Sequence, residues 1–227
     1  LVSSHSMICF VGSSFAPKVF RRAALIKGIK LTDDPALAQL VFVSEDTPTD
    51  AEGNRDLGVI RTLVRHIFGK TMAPIVLTSQ TPPGFVRSLE LPIWCQAETL
   101  RVKDALERAL RPEQHIIGCE DPNAPLPKAL ITYFNSFPAP IFQMSYESCE
   151  FSKIAINMTL ASQVDNANRL SKAAEAFKAD WDDIEIVLSH DGRIGPKSYL
   201  TPGDWKKSPH LLRDYATLRS LDGRLSD

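Results

Sequence analysis

"MICFVGSSFAPKVFRRAALIKG", residues 7–28, decides the fold. Five apolar residues run into Gly12, the mark of a buried strand entering a tight turn. A helix follows, with Pro17 in its first turn and Gly28 just past its end. The same order recurs down the chain. "QLVFVS" (39–44) is a second buried strand, followed by the polar loop "EDTPTDAEGNR" (45–55). In "DLGVIRTLVRHIF" (56–68), Asp56 caps a helix of apolar periodicity. "APIVLTS" (73–79), "LPIWC" (91–95), "QHIIGC" (114–119) and "APIFQM" (139–144) read as further strands. "RVKDALERAL" (101–110) and "LPKALITYFNSF" (126–137) are helices between them. Strand and helix alternate from 7 to 144, which implies an α/β fold, a shortened doubly wound, Rossmann-like parallel sheet with helices on both faces.

From Tyr146 to about Lys178 the pattern becomes one long Ala-rich helix without Gly or Pro. A shorter helix, "DWDDIEIVLSH" (180–190), and a terminal one, within "KSPHLLRDYATL" (207–218), complete the chain. Two regions are therefore expected, a reduced Rossmann-like NAD-type domain over 7–144 and a helical dimerisation and active-site region over 145–227. The long helix is apolar on more than one side at Ile154, Ile156, Leu160, Val164, Leu170 and Phe177, and such a helix must bury a second face. A homodimer through residues 146–178 is the expectation.

Composition excludes several classes. With 44% hydrophobic and 23% charged residues in 227, the chain is long enough to bury a sizeable core. A net charge of -1 gives no electrostatic case for nucleic acid or an acidic membrane. No apolar run approaches the roughly 18–20 residues of a membrane span. "LVSSHSM" lacks the basic start and apolar stretch of a signal peptide, and Met7 reads as the native start after an appended remnant. The four cysteines have neither metal spacing nor a dense disulfide pattern, and fit reduced thiols in a cytoplasmic protein. Cys95 and Cys149 read as buried structural thiols. His66, His115 and His190 read as surface or helix-end residues, and Lys206–Lys207 as a solvated pair.

In "ESCEFSKIAINMTLASQVDNANRL" (147–170), Glu150, Lys153 and Asn157 project from one helix face. By themselves they could be an ordinary solvated ion-pair face. In context the stretch resembles the E-x-x-K-x-x-x-N helix of the UDP-glucose/GDP-mannose dehydrogenase family, which uses NAD to oxidise a sugar C6 alcohol to an acid. Four other segments are similar in the same order. "VFVSEDTPTDAEGNRDL" (41–57) resembles the family's segment near the nicotinamide, with Thr47 and Pro48 at its TP. "LTSQTPPGF" (77–85) resembles its S-T-V-P-x-G turn, with Ser79 and Gln80 at S-T. "QAETLR" (96–101) resembles S-P-E-F-L-R, and "DGRIGPKSYLTPG" (191–203) resembles D-x-R-I-G…Y-L-x-P-G.

The resemblance implies roles. Glu98 would be the carboxylate that works through a water as general acid/base. Lys153 and Asn157 would hold the developing sugar oxyanion, and Asp214 would orient the lysine or a water. Arg193 and Tyr199 would contact the nucleotide sugar, the arginine across a dimer. Gly12, Ser14, Thr47, Pro48, Ser79 and Gln80 would line an NAD site; no metal is implied.

The departures matter as much. Where the family has a nucleophilic cysteine, this sequence has His210, and Arg213 stands for its lysine. Imidazole forms no thiohemiacetal, so the route from aldehyde to acid is lost. In "VGSSFAP" (11–17) the second and third glycines of G-x-G-x-x-G are Ser14 and Pro17. The strand that should carry a ribose-binding acid has no evident counterpart, and Asp33 and Asp34 read as a helix cap. The family's second nucleotide-sugar domain has no match, so a truncated member is expected. Two functions remain: an NAD-dependent oxidoreductase on the C6 alcohol or aldehyde of a nucleotide sugar, with NAD held weakly, or a non-catalytic, repurposed dimeric relative.

Overall fold

The computed structural model describes residues 7–221. The remnant proposed before Met7 lies outside the described residues. The element order is β1 (Met7–Val11), α1 (Phe15–Ile26), β2 (Lys30–Leu31), β3 (Leu40–Val43), α2 (Gly58–Phe68), β4 (Ile75–Leu77), β5 (Trp94–Ala97) and α3 (Ala105–Leu110). It continues with β6 (His115–Cys119), α4 (Lys128–Asn135), β7 (Ile141–Ser145), α5 (Tyr146–Ala176), α6 (Trp181–His190) and α7 (Pro209–Arg219). Seven strands form one sheet in the order β2-β1-β3-β4-β5-β6-β7, parallel except where β5 meets β6. This is the Rossmann-like α/β fold the strand–helix alternation implies.

Two compact units result: one up to Pro48 together with Arg55–Lys153, the other Thr49–Asn54 together with Ile154 onward. The division falls inside α5, whereas the order of elements sets a boundary at 144/145. The reason is local. The first two turns of α5 pack on the sheet, where Tyr146 Oη donates to the Ile93 carbonyl at 2.6 Å and Cys149 is fully buried.

The first unit's core forms on one sheet face. Phe10 and Phe42, paired across β1 and β3, stack at 5.1 Å, and Tyr133 of α4 tilts onto Phe42 at 4.8 Å. Ala23, Ala24, Leu40, Ile117 and Leu130 close around them without solvent exposure beyond a trace. Continuous apolar runs on the central strands and apolar faces on the helices packed against them make this burial the main source of stability.

Two readings of the sequence need correction. A second strand does exist: Lys30 and Leu31 pair parallel with Met7 and Ile8 at the sheet edge. Its two residues lack an apolar run, because an edge strand this short is held by backbone pairing rather than by burial. Asp33 follows it and pairs with Arg21 at 2.7 Å, while Asp34 caps a short turn through the Ala36 N–H as expected. The second correction is His115, which is buried and stacks on Phe134 at 4.0 Å instead of lying at the surface. Its Nε2 meets the Phe137 carbonyl at 2.7 Å, and burial lowers its pKa, keeping the ring neutral.

In the second unit, α5 binds the segment before α7 through three polar side chains. Gln163 Oε1 accepts from the Tyr199 N–H at 2.9 Å, and Asp165 Oδ1 accepts from Trp205 Nε1 at 2.8 Å. Asn168 exchanges two hydrogen bonds with the Gly203 backbone, at 2.7 and 2.8 Å. Among the described residues no helix is long and apolar enough to cross a membrane.

At Gly118 on β6, the first turns of α5 pack closely against the sheet. A β-carbon there would lie 2.4 Å from Cys95 Sγ and 2.7 Å from Cys149 Cβ. Neither neighbour is the free end of a flexible chain, so Gly118→Ala is expected to destabilise the protein by about 1–3 kcal/mol through overpacking. A urea midpoint unchanged from the wild type would contradict that packing.

Candidate active site

β1, β3 and β4 run parallel and end side by side, with Val11 opposite Val43 and Val43 opposite Leu77. Their following loops therefore share the carboxyl edge of the sheet, where open α/β folds bind ligands. Gly12 enters its loop at φ 128°, and a β-carbon on it would lie 1.7 Å from the Ser44 carbonyl. Only glycine fits. Ser44 itself is buried, and the Ser79 hydroxyl bridges the next residue, accepting from the Glu45 N–H and donating to its carbonyl, each at 2.8 Å.

Ser14 is the N-cap of α1, where a dinucleotide loop would present its N–H groups. That place is taken. Glu45 Oε2 accepts from the Ser13 N–H at 2.8 Å and from the Ser13 hydroxyl at 3.0 Å, while Oε1 accepts from the Asp46 N–H at 3.2 Å. Partial burial works against ionisation, but the Ser13 N–H and hydroxyl, with the N–H groups of Asp46 and Ser14, hold the carboxyl below its ordinary pKa. Sequence reasoning missed Glu45. The available signal was an acidic pair directly after an apolar strand, opposite a Gly-Ser-Ser turn.

The loop after β4 is fastened to α5 by a buried carboxylate. Glu150 accepts from Thr81 Oγ1 at 2.9 Å, from the Gly84 N–H at 2.7 Å and from the Val86 N–H at 2.9 Å. One turn along α5, Lys153 Nζ lies 3.8 Å from Glu98 Oε1, and both side chains are largely sheltered from solvent. Glu98 Oε2 also accepts from the Leu100 N–H at 2.7 Å, which fixes the carboxylate at the end of β5. A small cavity, about 20 Å³, is lined by Ser79, Gln80, Glu98, Cys149, Glu150 and Lys153. Ser79, Gln80, Glu98 and Lys153, four residues to which the resemblance gives site roles, thus meet in the first unit. Thr47 is buried nearby in sequence and Pro48 is exposed.

In the second unit, Asn157 Nδ2 donates to Asp214 Oδ2 at 2.7 Å, and Asp214 is fully buried. Arg213, also buried, places Nη2 3.3 Å from His210 Nδ1. A guanidinium only donates, so Nδ1 accepts and the His210 proton sits on Nε2. Arg193 is solvent-exposed and paired with Asp191 at 2.7 Å, and Tyr199 is bound through its backbone N–H to Gln163. Among the described residues no group of His, Cys, Asp or Glu could hold a metal ion. All four cysteines are free and buried.

Residues 147–213 match the model of the UDP-glucose/GDP-mannose dehydrogenase family, central domain. A putative UDP-glucose 6-dehydrogenase of Bacillus subtilis is 23% identical over 178 residues, covering 72% of this chain and 41% of that protein. The GDP-mannose 6-dehydrogenase of Pseudomonas aeruginosa is 25% identical over 183 residues, covering 71% and 42%. The solved UDP-glucose dehydrogenase of Pyrobaculum islandicum superposes with a TM-score of 0.73 at 19% identity, over 96% of this chain and 68% of that one. Over residues 147–213 the chain is thus similar to the central domain of the UDP-glucose/GDP-mannose dehydrogenase family, and its fold is similar to that of a solved UDP-glucose dehydrogenase. It spans about two fifths of the length of these two curated relatives.

Burial raises the Glu150 pKa despite the three hydrogen bonds that oppose the shift. The folded state therefore favours the protonated form, and the associated stability is fully present below the ordinary value of 4.5. It is lost as pH rises through the higher folded value. Urea midpoints of the wild type are expected to fall over that range relative to those of Glu150→Gln, which is less stable but flat. Parallel pH profiles would show that Glu150 does not titrate in this way.

Proposed function

We propose that the chain is an oxidoreductase on the C6 alcohol or aldehyde of a nucleotide sugar. The observation that carries this is the Lys153–Glu98 pair beside a cavity, on a helix that also carries Asn157. An ammonium beside a forming alkoxide stabilises charge where it develops. Glu98, held by the Leu100 N–H, accepts or returns the proton through Lys153 or a water. Asn157, which Asp214 keeps in one orientation, is assigned to the oxyanion by the family resemblance alone. Arg193 and Tyr199 are assigned to the sugar nucleotide by the family resemblance.

The reading stops at the two-electron stage. His210 stands where the family has its thiol, and imidazole gives no stable covalent adduct for a second oxidation. NAD is the oxidant the resemblance implies. The Gly12–Ser14 loop as it stands does not fit a pyrophosphate, because the Glu45 carboxylate already takes the Ser13 N–H. That observation favours the second reading, a repurposed binding relative without turnover. A cytoplasmic setting accords with the four free thiols.

Product analysis by mass spectrometry on UDP- and GDP-sugars with NAD separates the outcomes. Aldehyde, or reduction of aldehyde in reverse, is expected from the wild type, with a loss of about 10²-fold or more for Lys153→Ala. Acid formed at two NADH per sugar would refute the assignment of His210. Silence of both proteins would leave the binding relative.

A homodimer is proposed through α5 and its surroundings. Leu170 and Phe177 on α5, and Ile186 and Val187 on α6, are exposed large apolar residues of the second unit. Sedimentation at micromolar concentration is expected to give a dimer, and a monomer there would remove the proposal.

A further inference from the structure

We infer that Glu45 is a resident anion that closes the phosphate loop and sets the chain's affinity for phosphate-bearing ligands. The inference rests on reading Gly12–Ser14 as the dinucleotide loop. Three observations support it. The carboxylate reaches across from the loop after β3 to the first N–H beyond Gly12, and it engages the Ser13 hydroxyl as well. Its own backbone is pinned at both N–H and carbonyl by Ser79, so the side chain is aimed rather than loose. The arrangement also holds its pKa down, which is the signature of donors satisfied by the charged form.

A pyrophosphate entering this loop would need the same N–H and the same helix dipole. Two anions do not share one donor at hydrogen-bond distance, so Glu45 must leave first. Departure is feasible, because the side chain is only partly buried and turns toward water. What is lost is a charge-assisted hydrogen bond, and each such bond corresponds to about tenfold or more in affinity. The loop therefore retains the backbone shape of an anion site while discriminating against external anions.

The test uses inorganic pyrophosphate and ADP, titrated calorimetrically into the full chain and into Glu45→Ala and Glu45→Gln. Circular dichroism first establishes that each variant folds, and the near-isosteric glutamine carries the test if the alanine does not. Both probes are expected to bind about tenfold or more tightly to Glu45→Ala than to the wild type, with Glu45→Gln between them. Equal affinity in all three proteins, or no binding to either variant, overturns the inference. Neither probe carries a nicotinamide or a sugar to be oxidised. Gained pyrophosphate affinity without any turnover of nucleotide sugars would thus sink the oxidoreductase reading and leave the role of Glu45 standing.

Discussion

The buried carboxylate of Glu150 is the contact on which the first unit's site depends. A carboxylate at 5% exposure is tolerable only when its lone pairs are occupied, and three donors occupy them. All three come from the segment Thr81–Val86, whose Pro82 and Pro83 break regular structure and whose Gly84, at φ 92°, turns its N–H inward. α5 is thereby locked to the end of β4, while Gly118 lets its Cys149 sit directly on β6. With the helix fixed in height and rotation, Lys153 can only stand over the end of β5, where Glu98 is. The ion pair is a consequence of the clamp, and its sheltered setting makes it stronger than a surface pair would be.

The same sheet geometry explains how a loop can have the shape of an anion site and the wrong charge. Parallel strands in register bring Gly12, Ser44 and Ser79 to one edge, and Gly12 has a carbonyl oxygen where a β-carbon would be. That closeness is what allows backbone to approach a pyrophosphate in a dinucleotide fold. It equally allows a side chain from the neighbouring strand to arrive first. Shape and charge are separable here because backbone sets one and a single residue, Glu45, sets the other.

Much of this was legible from the chain itself, and the failures have physical causes. β1 and β3 announce themselves as apolar runs because both sheet faces are covered, and α5 because nothing interrupts it. β2 was invisible: two residues with a lysine in first place carry no hydrophobic pattern, and the strand exists only through its pairing with β1. The reversal between β5 and β6 was hidden for a related reason, since strand direction depends on how a connection crosses the sheet and not on strand composition. His115 looked like a surface residue because its burial depends on Phe134, nineteen positions on and in another element. Glu98 and Lys153 were found only through the family's motifs. Glu45 needed the register of β3 against β1, which no local pattern encodes.

His210 brings the chemistry to its last step. A nucleophilic thiol needs only deprotonation, but an imidazole has two nitrogens with different duties. Here Arg213 donates to Nδ1, so the remaining nitrogen bears the proton and acts as a donor. Taking a proton from an alcohol would require His210 to surrender the Arg213 contact or to turn over. Giving up its single Nε2 proton would leave an anionic imidazolate. In this state the ring can hold an alcohol or aldehyde oxygen by a hydrogen bond but is not itself the source of a proton. Asp214, buried beside Arg213 and bound to Asn157, keeps the helix that carries this pair in place. Within the oxidoreductase reading, His210 at α7 is therefore a hydrogen-bond donor rather than the group that moves the proton, in either direction. The replacement of a thiol by an imidazole would then bear on the final product, because no covalent adduct forms. It does not bear on the direction of the reaction, which equilibrium and concentrations set.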